Sequence, residues 1–375
     1  MSVPVVILYC LGIFAVLIYR VSLRSHAVAD FFRDSAGFAV RLILTSATNL
    51  LPFSLGEIIL FISVPLGVFL LVRFCLGVKR AGNRRRELLW GLSRFAAFAC
   101  VIMFLFAFTL GVGYGATPIQ ASIGLERRLI SPDDLVYAMR VLIDEANAEI
   151  SRLEAAGLYF NEDGSTAMPY DLRELNARLH QAFINLNGRH GSAVRLIRSR
   201  AKPIIISGVF SRMNITGVYS FFTGEGNINM HPPDFSIVFT AAHEMAHAMG
   251  VAREDEANFA AFLACLHSDC SYIRYSGLVV MISWLRWPLF EADPDAYYEL
   301  MGRLSSVARE ELRSNARFWE RYRGQPLARV ATAVNDAYLR AQAGGRDEGE
   351  RHLGVATYGL VRDLAVIYLR DIYGR

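Results

Sequence analysis

The sequence predicts an α+β fold in which three N-terminal transmembrane helices precede a mostly helical domain with a small β-sheet. Composition is the first observation: 53% of the 375 residues are hydrophobic, 20% are charged, and the mean hydropathy is +0.30. These values are too apolar for an ordinary soluble protein. Distribution is the second, because the long uncharged runs lie in the first third of the chain, residues 1–115. The third is a β-rich stretch between helical patterns, which adds a sheet to the domain at 116–375.

The transmembrane region is expected to contain spans at about 2–19, 55–74 and 95–113. Each run carries almost no charge and is long enough for a hydrocarbon core of about 30 Å. Pro52 breaks the helix ahead of the second span. A signal peptide is the alternative for the first run. A retained helix is favoured, since no basic segment precedes the run and no clear cleavage pattern follows it.

The membrane orientation follows from basic residues around the connection between the second and third spans. These basic residues are Arg73, Lys79, Arg80, Arg84, Arg85, Arg86 and Arg94. Glu87 is the acidic residue among them. Short loops rich in Lys and Arg stay in the cytoplasm. We therefore expect a multi-pass cell-membrane protein whose domain after about Tyr114 is extracytoplasmic. A nucleic-acid patch is the alternative for these charges, and the flanking spans argue against it. Glu57 could be a functional acid, as acids within membranes often are, or could lie at the membrane interface, and the interface is favoured.

The domain at 116–375 shows helix signals on both sides of the β-rich stretch. Ser131-Pro132-Asp133-Asp134 has the cap, proline and acids of a helix start. Helices are predicted at 131–156, 170–187, 270–287, 295–322, 326–342 and 356–373. Strands are predicted at 203–210, 217–222 and 227–230. Such a small sheet could pair its edge with an extended peptide, or it could be purely structural.

The central motif is His243-Glu244-Met245-Ala246-His247. Residues i and i+4 share a helix face, so both imidazoles can reach one metal ion. Glu244 lies about 100° around the helix, where a base can take a proton from metal-bound water. An ordinary solvated helix face is the alternative. The neighbouring residues are apolar nearly all round, however, and buried His and Glu need partners. The motif therefore predicts a metal site with Glu244 as the catalytic base.

A catalytic zinc site usually has a third protein ligand. Gly250 is suited to end the helix, and a second helix is expected from near Arg253. Glu254 lies on that helix's small-residue side, which permits close approach to the first helix, whereas Glu256 lies beside bulky side chains. We therefore predict Glu254 as the third ligand and keep Glu256 in reserve. Either acid could instead be a helix N-terminal charge favoured by the dipole.

The His-Glu-x-x-His motif followed by Glu254-x-x-Ala257-Asn258 resembles the gluzincin arrangement, in which Asp stands where this chain has Asn258. The run 217–229, the motif and the segment 274–277 are together similar to a bacterial membrane family of unknown function regarded as zinc peptidases. The resemblance implies a zincin-like metallopeptidase domain at 116–375 and a location in the bacterial cell membrane. It implies no particular substrate.

Two hypotheses follow from these observations. The first is a membrane-anchored zinc metallopeptidase that hydrolyses peptide bonds by metal-activated water, with a peptide or protein substrate, the lipid bilayer and no nucleic acid as partners. The second is a non-catalytic membrane sensor or scaffold with a structural metal, whose shell would be closed by a fourth ligand such as His231 or Asp255. Candidates for stabilising an oxyanion are Tyr219, His231, Arg274 and Tyr275. Cys265 and Cys270 are expected to be free thiols.

Overall fold

The protein is described here by a computed structural model that covers residues 3–342 and 360–374. The predicted α+β class is confirmed, because helices dominate and one three-stranded sheet is present. The helices up to the domain boundary are α1 (Val3–Ser22), α2 (His26–Phe32), a π-helical turn (Arg33–Gly37), α3 (Phe38–Thr48), α4 (Leu55–Arg80), α5 (Arg84–Thr109) and a 3-10 turn (Gly111–Gly115).

The rest of the described chain forms the domain that carries the motif. Its elements are α6 (Ile119–Ser122), α7 (Pro132–Ala155), α8 (Leu172–His190), β1 (Ala201–Pro203), α9 (Ser207–Arg212), β2 (Gly217–Ser220), β3 (Glu225–Ile228), α10 (Asp234–Ala248), α11 (Glu254–Leu266), α12 (Ser271–Ala292), α13 (Pro294–Arg303), α14 (Ser306–Glu320), α15 (Pro326–Gln342) and α16 (Leu360–Tyr373). Helices α10, α11 and α12 pack on one another, and α7 and α16 complete the core.

Helices α1, α4 and α5 are long and apolar enough to cross a membrane. They correspond to the three predicted spans, although α4 and α5 are longer than predicted. Lys79 and Arg80 therefore lie in the last turn of α4 and Arg84, Arg85 and Arg86 in the first turn of α5, with only residues 81–83 between these helices. Arg73 and Arg94 lie further inside the two helices. The side chain of Asn83 accepts a hydrogen bond from the Arg86 amide and so starts α5 immediately. Residue 2, assigned to the first span, lies outside the described residues.

A helical segment that the sequence analysis did not predict connects α1 to α4. Its buried Arg41 donates to the carbonyl oxygens of Arg33 at 2.9 Å and Thr109 at 3.4 Å. Thr45, on the same helix, donates from Oγ1 to the Gly224 carbonyl at 2.9 Å. These bonds join the end of α5 to the β2–β3 turn. The segment therefore contacts both the end of α5 and the sheet.

The sheet has the order β1-β3-β2, with β1 parallel to β3 and β2 antiparallel to it. The predicted strand 203–210 was wrong beyond Pro203, because the chain there enters α9. The amides of Ile205 and Ile206 donate to the two carboxylate oxygens of Glu57, at 2.9 and 3.0 Å. Amides that are bound in this way cannot extend a ladder, so an apolar segment that reads as a strand turns away from the sheet.

The sheet is fixed to the start of α4 by charged groups. The carboxylate of Glu225 accepts from the amides of Leu55 at 3.1 Å and Gly56 at 2.8 Å, which satisfies the free N–H groups of that helix. The ammonium of Lys202 donates to Glu225 at 2.6 Å. Glu57, expected at the membrane interface, makes the reciprocal bonds from α4 to the domain. We call these contacts the α4 junction: Glu57, Leu55 and Gly56 on α4, and Lys202, Ile205, Ile206 and Glu225 on the domain.

Helix boundaries in the domain differ from the prediction at three points. The predicted helix 295–322 is two helices, because the Asn147 amide binds the Arg303 carbonyl and the Ser305 amide, both at 2.9 Å, and Ser305 caps α14. Helix α8 continues through Gly188, and α12 continues past Trp287 to Ala292. The capping box of Ser131 and Asp134 is present as predicted. Residues 356–359 of the predicted terminal helix lie outside the described residues.

Candidate metal centre

The motif lies on α10, which is buried along most of its length between the sheet and the helical core. The chain leaves this helix through Gly250, whose φ of +96° is a conformation that favours glycine. A Cβ at that position would also lie 2.6 Å from the guanidinium of Arg41. The sharp turn brings the first residue of α11, Glu254, back towards the motif. The two helices therefore supply one cluster from a short stretch of sequence.

Three side chains converge at this point: His243, His247 and Glu254. The Nε2 atoms of the two histidines lie 3.1 Å apart. The Glu254 carboxylate oxygens lie 3.2 Å from Nε2 of His243 and 3.5 Å from Nε2 of His247. A tetrahedral zinc ion with bonds of about 2.0–2.1 Å separates its ligand atoms by roughly 3.3–3.5 Å. The three residues therefore fit the coordination of a single zinc ion.

The other ring nitrogens show how the histidines are held. Nδ1 of His247 lies 2.7 Å from the Val251 carbonyl oxygen and donates a proton to it, so in the neutral ring the lone pair is on Nε2. Metal-binding histidines are commonly oriented by this kind of bond. Nδ1 of His243 is buried and has no protein hydrogen-bond partner. The backbone after α10 therefore fixes the orientation of one candidate ligand ring, with Nε2 directed at the cluster.

The electrostatics of the cluster favour a cation. Burial opposes ionisation of Glu254, but the charge of His247 and hydrogen bonds from both histidines bring its pKa well below the usual range. Burial also opposes protonation of His247, but the Glu254 carboxylate raises the pKa of this imidazole to about 9 overall. Both shifts have one cause, which is a carboxylate placed against two ring nitrogens in a desolvated site. Such a site stabilises positive charge.

Glu244 lies beside this cluster and under the sheet, with 3% of its surface exposed. A Cβ on Gly217 would be 2.5 Å from its Oε1, and a Cβ on Gly226 would be 2.7 Å from its own Cβ. Only glycines allow the two strands to approach this closely. Burial raises the pKa of Glu244 to about 7, and the nearby histidines only partly oppose that rise. Its Oε2 is buried without a protein hydrogen-bond partner.

The reserve ligand, Glu256, does not join the cluster. It is buried and accepts a hydrogen bond at 2.6 Å from Arg253, whose guanidinium also donates to the Ala116 carbonyl at 3.3 Å. Asp255 and His231, considered as fourth ligands, are absent from the group that could hold an ion. Within residues 3–342 and 360–374, that group consists of His243, His247 and Glu254 alone.

Among the candidates for oxyanion stabilisation, Tyr219 is the one that the structure places at the site. Its ring centroid lies 6.0 Å from that of His247, and its hydroxyl is buried without a protein hydrogen-bond partner. Arg274 instead forms a two-point ion pair with Glu149. Tyr275 is in the helical core, and the ring of His231 lies near Gly208 on α9.

Two tyrosines near Glu254 were missed by the sequence analysis. The hydroxyls of Tyr114 and Tyr338 lie 2.6 Å apart. Burial raises the pKa of both phenols, and the charge of Glu254 adds to the rise. They come from the 3-10 turn after α5 and from the end of α15, far from the motif in sequence. No local pattern links these positions, so only the fold reveals them.

The fold and the site define a chain with three helices able to cross a membrane and a helical domain that carries a candidate metal centre. The chain belongs to the family described as "Protein of unknown function (DUF3810)", whose model matches residues 38–366. The expectation of a family of unknown function is thereby confirmed. No curated protein and no solved structure matches the chain. The matched range includes α4, α5 and the whole of the candidate metal centre.

Proposed function

We propose that this chain is a membrane-anchored zinc metallopeptidase, a hydrolase of peptide bonds. One observation carries the proposal. Three ligand atoms of His243, His247 and Glu254 converge at zinc-like spacing, and a buried carboxylate oxygen of Glu244 without a protein partner lies on the adjoining face of the same helix. A structural metal site has no use for that carboxylate, whereas a hydrolytic site does.

In this proposal His243, His247 and Glu254 hold the ion, which supplies a Lewis acid and lowers the pKa of water when it is bound. Glu244 takes the proton from the attacking water. It then delivers that proton to the leaving amine as the bond between carbonyl carbon and nitrogen breaks. A carboxyl with a pKa near 7 can do both, since it gains and loses a proton readily at neutral pH. Tyr219 has its hydroxyl available for the carbonyl oxygen.

The sheet offers a place for the substrate. The Asn229 amide donates to the Thr216 carbonyl, and hydrogen-bonded pairs alternate along an antiparallel ladder. Gly217 and Tyr219 therefore direct their backbone N–H and C=O groups to the free edge of β2. An extended peptide that pairs with this edge lies next to Glu244, because a Cβ at Gly217 would be only 2.5 Å from its carboxylate. Main-chain pairing makes a peptide or protein the fitting substrate class.

The gluzincin likeness is part of the same proposal, with one departure. In that arrangement an Asp follows the third ligand, and here the position is Asn258. Nδ1 of the proposed ligand His247 instead donates a hydrogen bond to the Val251 carbonyl oxygen, in the turn between the two helices. The backbone therefore orients His247, whereas Nδ1 of His243 is buried without a protein hydrogen-bond partner.

The test uses the full-length protein in detergent, with zinc content measured by mass spectrometry and turnover measured on a peptide library. Glu244→Gln keeps the size of the side chain and removes the base. It should retain zinc and lower hydrolysis by roughly two to four orders of magnitude, the usual contribution of a positioned general base. Glu311→Gln is the matched control, because Glu311 is also buried, has a pKa of about 7, and bonds to Thr166 away from the metal centre. This control should remain active.

Two results would contradict the proposal in different ways. A wild type that binds zinc and cleaves no library peptide would favour the sensor or scaffold hypothesis. A Glu244→Gln variant that cleaves as fast as the wild type would show that the mechanism is wrong, even in a peptidase.

The orientation in the membrane is a separate part of the proposal. The basic cluster at the ends of α4 and α5 supports a cytoplasmic position for residues 79–86 and an extracytoplasmic position for the domain. Reporter fusions after Arg86 and after Arg375 should show cytoplasmic activity for the first and exported activity for the second. A cytoplasmic reporter signal after Arg375 would contradict the extracytoplasmic peptidase.

A further inference from the structure

Helix α15 has an apolar face that the described protein leaves uncovered. At 100° per residue, Leu327, Val330, Val334 and Tyr338 fall within about 80° of one another around this helix. The charged residues lie on the opposite side and are Arg329, Asp336 and Arg340. Leu327, Val330 and Val334 are 48%, 62% and 65% exposed. Three large apolar side chains in one line on a surface helix mark a contact surface.

The C-terminal end of this face lies near the C-terminal ends of α1 and α5. Tyr338 packs on a small buried cluster whose members are Leu110, Tyr114, Tyr219, Ala248 and Ala252. Leu23 and Phe106 pack on the same cluster. Leu23 directly follows α1, and Phe106 is in the last turn of α5. Tyr338 therefore lies where two of the three helices able to cross a membrane leave their apolar stretch.

From that point the apolar face runs away from the cluster. Leu327 is eleven residues before Tyr338, which is about 17 Å along a helix. Leu327, Val330 and Val334 point to the same side of α15 as Tyr338 does. Leu327, Val330 and Val334 therefore continue, without a change of side, a line that begins at the ends of α1 and α5. In a membrane-inserted protein, that line begins at the boundary between lipid and water.

We propose that α15 lies in the plane of the membrane, with Leu327, Val330 and Val334 inserted in the lipid interface beside α1 and α5. The partner is the bilayer itself. A face of three large side chains is small beside the roughly 800 Å² per partner of a stable protein–protein interface, yet it is sufficient for an interfacial helix. Arg340 is already paired with Asp336 on the polar side. Apolar burial rather than attraction to anionic lipid therefore holds the helix.

This contact also reaches the metal centre. Tyr338 hydrogen bonds to Tyr114 next to Glu254, so α15 resting on lipid keeps that pair of hydroxyls at the border of the cluster. The inference concerns only where α15 lies and does not depend on the proposed peptidase activity.

The experiment places a fluorescent reporter on each side of α15 in the full-length protein, reconstituted in phosphatidylcholine nanodiscs with or without brominated acyl chains. Val334→Trp adds a tryptophan to the apolar face, and Thr332→Trp adds one to the opposite, exposed face. The signal of the native tryptophans is subtracted with the wild type. An interfacial helix seats its apolar face about 5–10 Å into the headgroup and acyl boundary, so bromine should remove about half or more of the added Val334→Trp emission. It should leave that of Thr332→Trp unchanged.

A second variant, Val330→Trp, protects the test against local disturbance at position 334 and should be quenched in the same way. The proposal is overturned if neither Val330→Trp nor Val334→Trp is quenched by brominated lipid. If, in that case, the nanodiscs hold two copies of the chain, a second copy covers the apolar face in place of lipid. Equal quenching of all three reporters would also contradict it, since only one side of α15 faces lipid in the proposal.

Discussion

Replacement of Glu244 by Gln should stabilise the metal-free protein, and the gain should increase with pH. The carboxyl group is buried beneath β2 and β3, and one of its oxygens has no protein hydrogen-bond partner. Burial raises its pKa from a usual value of 4.5 to about 7. The folded protein therefore binds this proton more tightly than the unfolded chain does. The resulting loss in the free energy of unfolding is small below pH 4.5, increases between pH 4.5 and about pH 7, and is complete above about pH 7.

The size of the effect follows from the two pKa values. Their difference, about 2.5, corresponds to about 3 kcal/mol at pH 8 at about 1.36 kcal/mol for each pKa unit. At pH 5 the folded carboxyl is still protonated, and the pH is only slightly above the pKa of the unfolded chain, so the cost falls to about 1 kcal/mol or less. Gln has no proton to lose and avoids this cost at every pH. The unfolding temperature of the variant should therefore exceed that of wild type by several degrees at pH 8 and by little at pH 5.

The assay is thermal unfolding followed by tryptophan fluorescence, in detergent with EDTA, at pH 5 and pH 8. Glu162→Gln is the control, because it makes the same replacement at a carboxylate that is exposed to water, and it should leave the unfolding temperature close to that of wild type. Zinc should reduce the advantage of Glu244→Gln, since a nearby cation stabilises the ionised carboxylate. A difference between wild type and Glu244→Gln that is equal at the two pH values would refute the assigned desolvation.

Two further predictions concern charged groups near and beneath the site. Glu254→Gln should lower zinc affinity by more than about 100-fold, since a direct ligand is lost. Glu256→Gln should keep the zinc affinity and lower the free energy of unfolding by about 3 kcal/mol, because it removes the charge next to the buried Arg253. Zinc titration and urea unfolding measure the two effects, and a larger loss of zinc affinity in Glu256→Gln than in Glu254→Gln would contradict the assignment. Lys202→Met should destabilise the protein by roughly 3–5 kcal/mol because Glu225 loses its buried cation. Adding Glu225→Gln should recover part of that loss, and a double variant worse than the single would count against the pairing.

The parts of the site that the sequence could predict are local in the chain. His243 and His247 share a face because four residues make about one helical turn. Glu254 could be chosen because the turn at Gly250 is short, and the side with small residues showed which acid can approach α10. The helix start at Ser131 was equally readable, since its capping bonds span three residues. Where the interaction stays within one or two turns, residue type and spacing are sufficient.

The parts that could not be predicted depend on partners far along the chain. The apolar run after Pro203 has strand-like composition, but Glu57, about 150 residues earlier, binds two of its amides. The break before α14 is set by Asn147, whose amide serves both sides of it. Tyr338 is far from Glu254 in sequence, and its hydroxyl comes near the candidate metal centre through its contact with Tyr114. Secondary-structure propensity cannot predict these contacts, because each one depends on residues that the tertiary fold brings together.

The α4 junction limits how the candidate metal centre can move relative to the long helices. A domain on a flexible linker samples a volume whose radius grows with linker length. Here Glu225 and Glu57 join sheet and helix by hydrogen bonds in both directions, so the centre has a fixed height above the end of α4. In a bilayer its remaining freedom is translation in the plane and rotation about the membrane normal. A group held in this way moves over the membrane in two dimensions and stays at one height above it.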